Sequence, residues 1–99
     1  MAYKVIQKKR FLNRVTNLLH YLETNWGYGV ANDFLKILDK KLSQLSNYPL
    51  IGNPSQKIFD VRGLFITKHN TLYYKIKNEK IIVINMIDTR MNPKSNPYK

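Results

Sequence analysis

No cysteine occurs among the 99 residues, which excludes disulfides, thiolate catalysis and any cysteine-based zinc site and is compatible with a reducing compartment. Glycine and proline number four each, too few for a low-complexity or linker-dominated chain. Acid is scarce: six Asp and Glu face seventeen Lys and Arg, leaving a formal charge of +11. No apolar run approaches the roughly 20 residues that a bilayer-spanning helix needs. Residues 1–10 alternate apolar and basic side chains instead of forming the continuous apolar stretch of a signal peptide. These absences predict a cytoplasmic protein without a membrane segment.

What is present suffices for one core. Hydrophobic residues make up 43% of the chain, with seven Tyr, four Phe and one Trp, and a domain of this size buries roughly 60–70% of its unfolded surface. A single domain over residues 1–99 is expected, with 89–99 as an irregular and mobile tail because Pro93 and Pro97 stand among polar groups there. The excess charge is spread over the chain: residues 1–56 carry eight basic and three acidic groups, residues 57–99 nine and three. Self-repulsion of this size fits an anionic partner such as RNA, DNA, a lipid surface or an acidic protein. The competing explanation is charge kept for solubility alone.

Hydrophobic periodicity divides the chain into elements. Tyr3, Val5 and Gln7 alternate with Lys4, Ile6 and Lys8, a first strand. Phe11, Leu12, Val15, Leu18, Leu19, Leu22 and Trp26 then recur at three- and four-residue steps, one stripe of an amphipathic helix that stops at Gly27-Tyr28-Gly29. Ala31, Phe34, Leu35, Leu38, Leu42 and Leu45 form a second stripe, ended by Tyr48-Pro49. So short a connection forces the two helices antiparallel. Residues 57–61, 64–69, 72–76 and 80–88 read as four strands separated by Arg62-Gly63, Asn70-Thr71 and Asn78-Glu79. The predicted fold is α+β: an N-terminal strand and a helical hairpin packed on one face of a four- to five-stranded, mainly antiparallel twisted sheet. Its other face is expected to be free, and on a basic protein that face and the tail beside it are where a partner would bind.

This order of elements resembles the RelE/ParE superfamily of toxins from type II toxin-antitoxin systems, the plasmid-stabilisation family, over essentially the whole chain. The helix ending in Tyr48-Pro49-Leu50-Ile51-Gly52, then Val61-Arg62, the tyrosine-rich Thr71 to Ile76, and Val83 to Lys94 with its Arg90 carry the resemblance. It implies a bacterial growth inhibitor neutralised by an acidic antitoxin, whose inhibitory segment orders itself on the toxin. It also implies one of two activities on one fold. RelE-like members cut messenger RNA on the ribosome, whereas ParE-like members poison DNA gyrase and cut nothing themselves.

Ribosome-dependent cleavage would make this chain an endoribonuclease in which the 2′-hydroxyl attacks the adjacent phosphate, so it needs a base, an acid and cations for the added charge. Arg62 and Arg90 match the family's motif arginines, and a guanidinium can clamp two phosphate oxygens without losing its charge. Asp88 stands where many relatives carry a histidine or another proton-transfer group. A carboxylate there can act as a base, but it also repels phosphate, and a salt bridge to Arg90 is the competing role. Lys57, Lys68, Lys75, Lys77 and Lys94 lie on the β half, where lysines neutralise phosphates without reading sequence. Lys75 and Lys77 share one side of their strand, opposite Tyr74 and Ile76. Tyr98 can stack on a base or donate a proton, as the C-terminal tyrosine of some ribosome-dependent relatives is thought to do, and the plainer role is that of a tail residue. His69, at a predicted turn, and His20, on the first helix, are weaker candidates, singled out because histidine is the usual proton-transfer residue type. The aromatic stripe of Phe11, Trp26 and Phe34 is expected to be core. No Gly-rich phosphate loop or His-Glu-x-x-His motif occurs, and no metal or organic cofactor is implied. Three readings follow: a ribosome-dependent ribonuclease acting on messenger RNA, a gyrase poison, and a basic interaction module without toxicity.

Overall fold

The computed structural model describes residues 2–90 and 93–99. Strand β1 (Lys4–Gln7) leads into helix α1 (Lys9–Trp26), followed by α2 (Tyr28–Asn47), β2 (Asn53–Pro54), β3 (Val61–Thr67), β4 (Asn70–Lys77) and β5 (Lys80–Asp88), with a 3-10 turn at Pro93–Ser95. The strands form one sheet in the order β1-β5-β4-β3-β2. β1 runs parallel to β5, and the other neighbours are antiparallel. The predicted fold class is observed.

The helices form where the apolar spacing places them. Phe11 and Val15 are the buried residues of α1, and Ala31, Phe34, Leu38 and Leu45 those of α2. Only Gly27 separates the two helices. Its φ of 94° is open to glycine and strained for other residues, and its N–H closes α1 on the Glu23 carbonyl at 3.1 Å. The break is thus shorter than the Gly27-Tyr28-Gly29 stop predicted, and α2 begins at Tyr28. Pro49 follows the end of α2 and cannot extend it.

Helix and sheet meet over Leu64, Ile66, Leu72, Tyr74, Ile81, Val83 and Met86, which pack with Phe11, Val15, Phe34, Leu38 and Leu45 into the main core. Burying each such side chain contributes about 1.5–3 kcal/mol before chain entropy is counted. Between Tyr73 and Tyr74 the β4–β5 register shifts, leaving Ile84 as an extra residue in β5. This bulge brings Asn85 and Ile87 to the face away from the helices while Met86 remains inward.

Four expectations are corrected. Of the strand expected over residues 57–61, only Val61 is in a strand, as the first residue of β3, and residues 57–60 are not. They turn, and the two-residue β2 pairs with β3 instead, Asn53 opposite Gly63 and Pro54 opposite Arg62. Arg62-Gly63 is therefore mid-strand. The β3–β4 turn falls on Lys68-His69 rather than Asn70-Thr71, while Asn78 and Glu79, both at positive φ, make the predicted tight turn between β4 and β5. Trp26 is 67% exposed because it ends α1 beside the glycine break, and it borders a surface cleft instead of joining the core.

The far face of the sheet, the fourth point of difference, is not bare. Val61, Tyr73 and Ile87 would present apolar surface there, and Tyr98 packs on them as a second small core. The Tyr98 ring stacks on that of Tyr73 with centroids 4.3 Å apart. The tail is held by several polar contacts. Asn96 donates to the Tyr73 hydroxyl at 3.3 Å, Lys57 Nζ to the Asn96 carbonyl at 3.2 Å, and Ser55 Oγ to the Tyr98 carbonyl. Residues 96–98 thus lie as a strap across the sheet.

Candidate functional site

Two clusters of polar groups flank the core, and each contains one motif arginine. The first surrounds Arg62. In β3 its neighbours Val61 and Gly63 belong to the far face, so Arg62 lies on the helix-facing side, opposite Tyr74 of β4. Its guanidinium donates to the Gly52 carbonyl at 2.8 Å and lies 3.5 Å from the Leu50 carbonyl. The fully buried Tyr74 hydroxyl completes the knot, donating to the Pro49 carbonyl at 2.7 Å and accepting the Gly52 N–H at 2.9 Å. Burial raises the Tyr74 phenol pKa, against the opposing pull of the Gly52 hydrogen bond and the Arg62 charge. This group pins the turn after α2. Beside it Leu50, Ile58 and Phe59 line a recess with Arg62 and Ile76, and Phe59 is 90% exposed.

The second cluster lies past the end of β5. Arg90 grips Asp88 through two guanidinium contacts, Nη2 to Oδ2 at 2.8 Å and Nε to Oδ1 at 3.1 Å, and the Arg90 backbone N–H donates to Oδ1 at 2.8 Å. The Arg90 side-chain hydrogen bond holds the Asp88 carboxyl below its ordinary 3.8, with a smaller contribution from the charge of His69. A depressed carboxyl pKa stabilises the fold above the unfolded value, and that share is lost as the pH falls through the lowered folded value. The pair is largely solvent-exposed, so its weight in stability is small. A carboxyl titration followed by NMR should place the Asp88 midpoint below 3.8 and return it toward that value in Arg90→Gln. An unchanged midpoint in the variant would remove Arg90 as the cause.

The two arginines are not brought together. Arg62 is opposite Tyr74 and Asp88 is opposite Asn70, so the clusters stand four residues apart along β4, about 13 Å at roughly 3.3 Å per residue. Neither arginine lines the far face of the sheet, where a partner was expected to bind. Of the other candidates, Lys57 secures the tail, and Lys68 and Lys75 are exposed on separate parts of the β half. Lys94 is exposed within the tail's 3-10 turn. Tyr98 is buried, and its hydroxyl accepts a long contact of 3.4 Å from the Asn85 amide. His20 is exposed on α1. Among the described residues no group of three or more His, Cys, Asp and Glu is placed to hold a metal ion.

A feature the sequence reading missed joins the second cluster to the helices. Leu18, Tyr21, Leu22 and Trp26 of α1 face Val30, Phe34 and Ile37 of α2 across a cleft of about 450 Å³, with His69 and Arg90 at its sheet end. Tyr21, Trp26, Val30 and Ile37 are all more than a third exposed, a contiguous apolar surface of the kind that marks protein interaction sites. Its signal was the stripe continuing to Trp26, which spacing alone could not separate from core.

Comparison with known proteins agrees with this architecture. No curated protein matches the sequence. The fold is shared with the chromosomal ParDE system of P. aeruginosa at a TM-score of 0.75 and 10% identity, covering 88% of this chain and 96% of that one. It is shared with the isolated RelE toxin of E. coli at 0.62 and 18%, covering 94% and 90%. The YoeB dimer of Staphylococcus aureus gives 0.58 and 10%, covering 86% and 94%. Among the described residues no helix is long and apolar enough to cross a membrane. A family model, the ParE toxin of the type II parDE toxin-antitoxin system, matches residues 5–93, and the chain therefore belongs to that family of type II toxins, within the RelE/ParE superfamily, which implies an antitoxin as its partner.

Proposed function

We propose that this toxin arrests growth by binding DNA gyrase, and that it does not cut nucleic acid itself. The observation that carries the reading is the separation of Arg62 and Arg90, each already engaged by acceptors of its own chain. Cleavage through a 2′-hydroxyl needs base, acid and cation around one phosphate. Here the two arginines belong to clusters four residues apart along β4, and the Tyr98 hydroxyl is buried against Tyr73 and Asn85. A toxin that works by binding a protein requires none of that convergence. The family match to ParE points the same way.

The ribonuclease reading keeps one foothold. His69 stands by Asp88 and Arg90, a titratable group beside a guanidinium at the rim of the cleft. Controlled expression in bacteria separates the two. Gyrase poisoning predicts broken chromosomal DNA with transcript 5′ ends unchanged. New 5′ ends within translated messages, lost in His69→Ala, would instead establish cleavage and overturn the proposal.

The apolar cleft between the helices is the seat we assign to the antitoxin. Its walls suit the apolar face of an amphipathic helix, and Arg90 and His69 at its rim suit acidic residues on that helix. Placing the toxin's target in the cytoplasm accords with the chain's lack of cysteine.

A further inference from the structure

The first 22 residues hold five cations, Lys4, Lys8, Lys9, Arg10 and Arg14, and no carboxylate before Glu23. Lys9 and Arg10 fall in the first turn of α1, which lacks any acidic residue. The partial positive charge of a helix N-terminus disfavours cations there, so the arrangement works against the helix that carries it. Among the described residues the side chains of Lys9, Arg10, Asn13, Arg14 and Asn17 have no hydrogen-bond or ion-pair partner.

Those five side chains line one shallow cleft of about 430 Å³. At 100° per residue they lie on the side of α1 turned away from Phe11 and Val15, and all five are exposed. Glu23, the only acid on α1, stands nine residues beyond Arg14, about two and a half turns. Lysine and arginine can only donate, and the asparagine amides add further donors. The cleft therefore suits a ligand made of acceptors and negative charge. It has no aromatic lining on which an unpaired base could stack and no apolar lining for a protein hot spot.

We propose that the outer face of α1 is a docking surface for the sugar-phosphate backbone of double-stranded DNA, independent of sequence. Lys9, Arg10 and Arg14 fall within the first two turns of α1, about 7.5 Å of a rigid helix, and this fixed spacing suits the regular phosphates of a duplex better than a flexible strand. The surface is separate from the Arg62 knot, the Tyr98 strap and the antitoxin cleft. It does not depend on which machine the toxin stops.

Fluorescence anisotropy with a labelled duplex of about 20 base pairs, titrated between about 50 and 200 mM salt, tests this. The triple variant Lys9→Gln, Arg10→Gln, Arg14→Gln is expected to bind at least about tenfold more weakly at the low-salt end. Its salt dependence should lose about 2–3 units of log–log slope, near 0.9 for each phosphate contact removed. All three side chains are exposed, and circular dichroism checks that the variant is folded. The control Lys4→Gln, Lys80→Gln, Lys99→Gln removes equal charge elsewhere and should change affinity by less than about threefold. If the control weakens binding as much, only net charge matters and the proposal is overturned. Equal or tighter binding of single-stranded DNA or RNA overturns it too, as does polyglutamate competing as well as the duplex, which would assign the face to an acidic protein.

Discussion

Shortening Tyr98 to alanine is expected to lower stability by about 3 kcal/mol, whereas Tyr98→Phe should cost about 1 kcal/mol or less. The ring is 7% exposed and stacked on Tyr73, so its removal opens the small core over Val61 and Ile87 and frees the strap that Ser55 and Lys57 hold. The hydroxyl contributes little beyond one long contact with Asn85. Urea unfolding of the two variants separates ring from hydroxyl. Growth inhibition supplies a second readout, because a toxin that only binds its target keeps its activity in Tyr98→Phe. If that variant were stably folded and harmless, the phenol would be doing chemistry and the binding account would be wrong.

Replacing Gly52 by alanine is expected to cost about 1–3 kcal/mol through overpacking. A Cβ at this position would stand 2.7 Å from the Tyr74 hydroxyl, 2.8 Å from its ring and 2.9 Å from the Gly63 carbonyl. The side chain of Tyr74 is fully buried and the carbonyl belongs to the β3 backbone, so neither can yield cheaply. The turn would have to move and give up the Tyr74 and Arg62 hydrogen bonds that fix it. Adding Tyr74→Phe removes the nearest atom but leaves the ring and carbonyl contacts, so it should not restore stability. A Gly52→Ala protein within about 0.5 kcal/mol of the parent would mean that the turn is loosely packed.

The helices, the tight turn at Asn78-Glu79 and the apolar β5 were legible in the sequence because each depends on local spacing or local turn chemistry. Arg62-Gly63 misled for a physical reason. A glycine after a charged residue resembles a turn, but Gly63 sits mid-strand where a Cβ would be 2.9 Å from the Tyr73 ring, so its smallness serves packing across the sheet. That requirement becomes visible only once β3 and β4 are paired. Tyr98 was unreadable for a similar reason, since its partners Tyr73, Val61 and Ile87 are distant in sequence. The alternation in β3 could place Arg62 on one face, but not choose which face the helices would cover. Asp88 and Arg90 were correctly expected to pair, their separation of two residues being short enough for a local ion pair.

Purified gyrase tests the target without the complications of a living cell. Relaxed plasmid, ATP and gyrase are incubated with increasing toxin. The account predicts that supercoiling falls and that cleaved DNA accumulates on the enzyme in proportion to the toxin added, equally for the parent and Tyr98→Phe proteins. Full supercoiling at a large excess of folded toxin, with no trapped breaks, would contradict it.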